Sequence, residues 1–369
     1  MARPTIRDIS RLTGLSTYTI SQALRGANGV SDDSRARVVA AANNIGYIPN
    51  RAAQDLRRTN RDSVGLITAS TSNSYYLDLI GGIQSTVQSL AWTVIIADVA
   101  VDGHYDAAQE DRTVRRLIEA RVAGVISTLT LSKANTELLS KWDIPIVFVD
   151  SSPPTEAAAL PSVTTDNYQA SMQVGGHLAG HGYTSWLFLA YPAIWSTRVE
   201  REHGLRDAAA SAGAGLIVVE SANDAISASQ ALRGYLDAAT AVPDVLIAGN
   251  NPMLLGALEH LRLRGLSIPR DIAVVGYDEF AWSNLIQPPL TLLNERSGEI
   301  GQQAAKTLAE IILAQDAAEK RGESSVPAYR PEHQLQVGAE LIVRQSCGCG
   351  PVGHHSFTPQ LTIPSVKGR

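Results

Sequence analysis

Apolar positions change period once along this chain, near residue 62. Before it they recur at helical spacing in short bursts: Ile6 with Ile9 and Leu12, then Ile20 with Ala23 and Leu24, then Val38 and Val39 with Ala42 and Ile45. Three short helices are predicted. Thr5 can cap the first, with Asp8 three residues on as its reciprocal partner; Ser16 caps the second and Ser31 the third. Gly14 supplies the backbone freedom that a sharp turn before Ser16 requires, and Gly46 stops the third helix. Two helices about so tight a turn form a helix-turn-helix. The second opens with Thr17, Tyr18, Ser21 and Gln22, side chains suited to base edges in a major groove.

Beyond residue 62, short continuous apolar runs alternate with amphipathic stretches. Strands are predicted at 64–68, 92–97, 124–128 and 145–150, with helices at 76–90, 109–120 and 133–141 between them. A Pro-rich segment, 151–161, precedes a second series. Its strands fall at 162–166, 185–189, 217–219, 245–249 and 272–277, and its helices at 168–179, 201–212, 227–239 and 252–264. Such alternation implies parallel sheets covered by helices on both faces. Two α/β lobes in tandem leave a cleft between them, the favoured place for a small ligand. The predicted class is therefore an α-helical head on a two-lobed α/β body.

Charge sharpens the division. The chain carries a net −5, yet residues 1–61 balance to +6 and residues 62–369 to −11. A basic head on an acidic body meets phosphate at one end only. Apolar content of 44% over 369 residues is globular and exceeds one ordinary core. No apolar run is long enough to span a bilayer and no basic-then-apolar segment opens the chain, so a cytoplasmic protein is expected. Both cysteines, Cys347 and Cys349, fall near the end, with His354 and His355 close by. These four could chelate a soft metal, but the segment is read as a Gly/Pro-rich disordered tail. No metal and no cofactor are expected.

The head, with Tyr47, Pro49 and Asn50 after its third helix, resembles the lac-repressor (LacI/GalR) family of bacterial transcription regulators. The resemblance extends through the body in Gly124-Val-Ile, Ile144-Pro-Ile-Val, Val163 with Asp166-Asn167, His181-Gly-Tyr, Val274-Val-Gly-Tyr-Asp278 and Pro288-Pro-Leu-Thr291. It implies a periplasmic-binding-protein-like body with three crossovers. The implied division is a head at 1–49 and a hinge at 50–61. A first lobe takes 62–161 with 291–323, a second takes 162–290 with 324–346, and the tail is 347–369. Thr5, Arg7, Ser16, Thr17, Tyr18, Ser21, Gln22 and Arg25 are then candidates for DNA contact. Arg7, Arg25, Arg35 and Arg51 would meet phosphates, orienting the head without reading sequence. Gln22 stands where relatives often carry Arg, which shifts the preferred base toward adenine. Asn50, Arg51, Ala53 and Leu56 match the hinge helix, with Leu56 and Ala53 as an apolar wedge in the minor groove. Ordering that hinge costs roughly 1–2 kcal/mol per residue, so it requires DNA and a partner hinge.

In the cleft, Asp150, Arg201, Asn250 and Asp278 match effector-contacting positions, and Tyr75, Tyr76 and Trp195 offer rings to the apolar face of a sugar. The chain departs from the family at 73–75, 250–251 and 292–295, so its ring contacts are its own. The resemblance implies a homodimeric repressor, double-stranded operator DNA as partner, no membrane, and a carbohydrate that releases the DNA. Two other readings compete. A periplasmic-type sugar-binding protein would share the body but has no use for residues 5–58. An enzyme would need a dinucleotide Gly-x-Gly-x-x-Gly, a phosphate loop, a nucleophile elbow or a helix-borne His pair. None is expected here.

Overall fold

The computed structural model describes residues 4–24, 29–47, 62–68, 73–100 and 105–350. They fall into two compact units, residues 1–61 and 62–369. In the first unit the helices are α1 (Ile6–Thr13), α2 (Thr17–Leu24) and α3 (Asp32–Asn44). Gly14 takes a left-handed φ of 70° at the end of α1. Ser16 caps α2 by accepting from the Thr19 amide at 3.1 Å, and Ser31 caps α3 by accepting from Ser34 at 3.4 Å. The Thr5 cap is one-sided: Asp8 accepts from both the amide and the hydroxyl of Thr5, at 2.8 and 2.6 Å.

Ile9, Ile20, Ala23, Val38 and Ala42 form the core of this unit. Leu12 and Val39, expected on the inner faces, are exposed at 59% and 42%. From Ile9 the helix turns inward again at Thr13, four residues on, and the Thr13 hydroxyl is satisfied by the Ile9 carbonyl at 2.8 Å. Arg37 donates to Thr13 O at 2.8 Å and Arg35 to Ala23 O at 3.3 Å, so α3 satisfies carbonyls at the ends of α1 and α2.

In the second unit each lobe is a six-stranded sheet. The first sheet has the order β11-β5-β4-β3-β1-β2. Its strands are β1 (Ser63–Thr68), β2 (Thr93–Asp98), β3 (Gly124–Ser127), β4 (Ile146–Val149), β5 (Ser162–Thr165) and β11 (Gln334–Val337). All of its pairings are parallel. Its helices are α4 (Ser74–Ser89), α5 (Ala107–Glu119), α6 (Lys133–Lys141) and the late α11 (Ser297–Lys320). The second sheet, β12-β10-β9-β8-β6-β7, takes β6 (Ser185–Ala190), β7 (Gly215–Glu220), β8 (Val245–Ala248), β9 (Ala273–Tyr277), β10 (Thr291–Asn294) and β12 (Glu340–Ile342). Here β12 runs antiparallel to β10. The helices α7 (Asn167–Gly180), α8 (Ser196–Ala212), α9 (Ala225–Ala238) and α10 (Asn251–Arg264) cover it. Central strands are buried throughout, as doubly covered parallel strands must be, whereas β2 and β7 are half-exposed edges. No described helix is long and apolar enough to cross a membrane.

The lobe boundaries expected from sequence are corrected at three places. Strand 162–165 pairs with β4 and β11 inside the first sheet instead of opening the second. Strand 291–294 pairs with β9, and so belongs to the second lobe rather than the first. Strand 334–337 pairs with β5 in the first lobe. Hydrophobic period marks a strand but not its partner, which is why the register escaped the sequence. The tail boundary is corrected as well. Residues 347–350 belong to the second lobe, with Cys347 fully buried in its core. His354 and His355 lie outside the described residues.

Helices α4 and α11 meet backbone to backbone. A Cβ on Gly82 would run into Gly298 O, and one on Gly301 into Leu79 O. Gly301→Ala should therefore lower stability by about 1–3 kcal/mol through overpacking. Gly81→Ala, one residue from Gly82 but facing open space, should raise it by up to about 1 kcal/mol through helix propensity. Denaturant midpoints for the pair check this, and equal effects would contradict the close packing.

Candidate functional site

The chain passes between the lobes three times: from β5 to α7, from β10 to α11, and from β11 to β12. Two of these crossings carry Asn167 and Glu295, and a single side chain holds both. Arg201, on α8 and only 2% exposed, donates from Nε to Asn167 Oδ1 at 2.8 Å. Its Nη1 donates to the Gly249 carbonyl at 2.6 Å and its Nη2 to Glu295 Oε1 at 2.7 Å. Asp278 Oδ1 lies 3.8 Å away, and the guanidinium sits 4.4 Å over the Tyr277 ring.

Three carboxylates reach this point from strand ends. Asp150 follows β4, Asp278 follows β9 and Glu295 follows β10. Asp150 and Asp278 adopt left-handed φ values of 52° and 65°, a conformation costing of order 1–3 kcal/mol in a non-glycine residue. Asp150 Oδ2 accepts from the Tyr76 hydroxyl at 2.9 Å. Tyr75 and Tyr76 meet edge to face, 5.3 Å between centroids. Asn250 Oδ1 caps α10 by accepting from Met253 at 3.1 Å, while its Nδ2 donates to Asn223 Oδ1 at 2.8 Å. Trp195 stands at the start of α8, edge-on to Tyr191 at 6.3 Å.

A narrow pocket, partly open to solvent, is lined by all seven predicted residues, Tyr75, Tyr76, Asp150, Trp195, Arg201, Asn250 and Asp278, together with Asn73, Tyr191, Thr197 and Asn223. Trp195 also walls a larger, open neighbouring pocket, whose lining includes Tyr105, Leu129, Leu131 and Ile194. Sequence reasoning missed Glu295, Asn167, Asn223, Tyr191 and Thr197. Glu295 obeys the rule that singled out Asp150 and Asp278, a carboxylate just past a buried strand. It escaped because 291–294 was not recognised as a strand.

Three carboxylates against one guanidinium leave excess negative charge in a buried place. Burial, reinforced by Glu295, pushes the Asp150 carboxyl up to about 7 although Arg201 pulls it down. Burial and then Glu295 push Asp278 well above the usual carboxylate range. For Arg201, burial alone would weaken the charge, but Glu295, Tyr191 and the two aspartates outweigh it and hold the guanidinium firmly protonated. Burial, with Asp150 next, raises Tyr75 and Tyr76 well above the usual phenol range. The cleft thus presents two carboxyls biased toward their neutral, protonated forms, able both to donate and to accept, with neutral phenol donors and one cation.

In the head, Thr5, Arg7, Thr17 and Tyr18 are exposed, Tyr18 by 73%, and Ser21 and Gln22 are half-buried beside them. Ser16 spends its hydroxyl on the α2 cap. Arg35, a phosphate candidate, is half-buried and holds α2. Arg25, Asn50, Arg51, Ala53 and Leu56 lie outside the described residues.

Comparison with known proteins covers both units. The model for "Periplasmic binding proteins and sugar binding domain of LacI family" matches residues 61–334. The model for "Bacterial regulatory proteins, lacI family" matches residues 5–50. The ribose operon repressor of Bacillus subtilis (strain 168) is 28% identical over 85% of this chain and 94% of its own length. The HTH-type transcriptional repressor PurR of Vibrio campbellii is 26% identical over 89% of this chain and 96% of its own. Among solved structures, the lac repressor dimer bound to operator and the anti-inducer ONPF superposes with a TM-score of 0.75 at 23% identity, covering 94% of this chain and 99% of that one. The complex of the transcriptional regulator CelR with cellobiose gives 0.66 at 26% identity, covering 93% and 100%.

The raised Asp150 carboxyl makes stability depend on pH. Between about pH 4 and about pH 7 the native body holds a proton that the unfolded chain has released. Its contribution is complete below that window and lost as pH rises through it. Melting temperature should therefore fall more steeply from about pH 5 to about pH 8 in the unaltered protein than in Asp150→Asn. Parallel curves would contradict the assignment.

Proposed function

The chain belongs to the LacI family of bacterial regulatory proteins, and from that premise we propose a cytoplasmic, non-enzymatic repressor that a neutral carbohydrate releases from a near-palindromic operator. The observation that carries this reading is the convergence of Asp150, Asp278 and Arg201 in one cavity beside the interlobe crossings. Carboxylates accept from sugar hydroxyls, Arg201 and Asn250 donate, and Tyr75, Tyr76 and Trp195 offer ring surfaces. An anionic ligand would meet three acidic side chains and only one cation, a guanidinium already donating to three acceptors. The second cavity, joined through Trp195, supports an effector longer than one ring. The relatives' names fit the class: one represses a ribose operon and another is complexed with cellobiose.

A ligand in the cavity would touch the first lobe through Asp150 and Tyr76 and the second through Arg201, Asn250 and Asp278. It would add to three bonds that bridge the lobes, Ser152 N to Ser196 Oγ at 3.0 Å, and Asn251 Nδ2 to Ser74 Oγ at 2.6 Å and to Asn73 Oδ1 at 3.2 Å. Because Arg201 also grips Asn167 and Glu295, the load on its guanidinium passes into the crossings. A coupling of about 1–3 kcal/mol is enough to shift the balance of a hinge that folds only on DNA. The lac repressor structure that this chain resembles is a dimer bound to operator, which supports a homodimer here. Two heads then read two half-sites, with Thr17, Tyr18 and Gln22 at base edges and Leu56 with Ala53 wedged between them.

Genomic footprinting supplies the operator, and gel-shift titration with a sugar panel tests the reading. Neutral disaccharides should release the DNA, while sugar phosphates and uronates should not. Release by the anions alone, or tightening by every neutral sugar, would overturn it. Gln22→Arg should move the preference from A·T to G·C at one symmetric pair of operator positions, worth roughly 1–3 kcal/mol each. An unchanged preference would remove Gln22 from the interface.

A further inference from the structure

Far from the cleft, the end of the second lobe brings together four metal-ligating side chains. His177 and His181 stand four residues apart at the end of α7, where helical geometry puts them on one face. A helix-borne His pair is not expected from the sequence, and the structure corrects this: the helix expected over 168–179 runs to Gly180, with His181 as its cap. Cys347 and Cys349 reach the same face from the turn after β12. His177 Nε2 is 3.2 Å from Cys347 Sγ and 3.9 Å from Cys349 Sγ, and His181 Nε2 is 3.3 Å from Cys349 Sγ. All four ligand atoms lie within 4.8 Å of one another. With Zn–S near 2.3 Å and Zn–N near 2.0–2.1 Å, the sulfur–nitrogen edge of a tetrahedral site is about 3.5 Å, the middle of these separations.

The surroundings are built to hold this arrangement. Ser346 Oγ donates to Val274 O at 2.6 Å and accepts from Thr291 N at 2.8 Å, which locks the residue before Cys347 to the sheet. The Thr291 hydroxyl donates to Cys347 Sγ at 3.1 Å, and the Tyr183 hydroxyl to Cys347 O at 2.9 Å. Tyr183 also stacks on the His181 ring, 5.2 Å between centroids and 8° from parallel, fixing its orientation. Between the cysteines, Gly348 has a φ of 95°, and a Cβ there would come within 2.6 Å of the Tyr183 hydroxyl. Only glycine lets the turn deliver both sulfurs to one point.

We infer that His177, His181, Cys347 and Cys349 form a closed tetrahedral zinc site that clamps the end of the second lobe to α7. Two thiolates and two imidazoles are a borderline-soft donor set, and four protein ligands leave no open position, which marks a structural site rather than a catalytic one. Binding releases both thiol protons to solvent and leaves the site electrically neutral. The clamped helix begins at Asn167, so the metal steadies the far end of an element whose start is bonded to Arg201.

Metal analysis of the full-length, tag-free protein after dialysis tests this, with cobalt substitution as the geometric probe. A single zinc equivalent per chain is expected. The cobalt form should show sulfur-to-cobalt charge transfer and the intense visible bands of a tetrahedral site. Cys347 is part of the core, so Cys349→Ser and His181→Gln, at half-exposed positions, carry the test, with His203→Gln as control. The two variants should lose the metal and the cobalt spectrum, while the control keeps both. Chelator should lower the melting temperature of the unaltered protein and of the control only. Substoichiometric zinc that the variants do not change, a cobalt spectrum without sulfur ligation, or a Cys347–Cys349 disulfide as the dominant purified form would overturn the site.

Discussion

The buried guanidinium of Arg201 is the constraint on which the body of this protein turns. It closes hydrogen bonds to two of the three segments that join the lobes and to the end of a central strand, and it stands beside Asp278. Removing such a group would leave carboxylates buried without a counter-charge, a far larger loss than the net worth of the ion pairs themselves. One side chain therefore serves two tasks. It keeps an acidic cleft from repelling itself, and it ties the ligand-facing wall to the crossings along which the lobes move.

The strained aspartates fit the same picture. Asp150 and Asp278 each follow a buried strand with left-handed φ, and each carries a carboxyl pushed upward by burial and by Glu295. A site with more acids than bases, held in a costly backbone conformation, is poised for hydroxyl donors. The glycine-lined contact of α4 with α11 in the first lobe gives this cleft a rigid wall. The edge strands β2 and β7, by contrast, stay half-open.

Much of this was legible in the sequence, for reasons that can be stated residue by residue. Period and capping chemistry placed the three head helices, because Gly14, Ser16 and Ser31 act on their immediate neighbours. Asp150, Arg201, Asn250 and Asp278 were legible through family resemblance, and Tyr75, Tyr76 and Trp195 through their ring chemistry; all seven line one pocket. What escaped depends on pairing across long separations. Strand 162–165 changed lobes because nothing local tells a strand which sheet it joins, while 291–294 and 334–337 were not recognised as strands. Glu295 was lost with its strand. Cys347 and Cys349 looked like a stray pair in a Gly-rich tail, since their partners His177 and His181 lie about 170 positions earlier. Leu12 and Val39 were assigned inward by counting apolar residues, where the helix instead buries Thr13 and Val38.

The central claim is that the acidic cleft senses a sugar and reports it to DNA. Operator affinity measured with and without sugar, in the unaltered protein and in Asp150→Asn, tests it most directly. The account predicts equal operator affinity for both proteins in the absence of sugar. It also predicts at least a tenfold higher sugar concentration for release of the variant, about 1.4 kcal/mol of lost coupling. Release of both proteins at the same sugar concentration would contradict it.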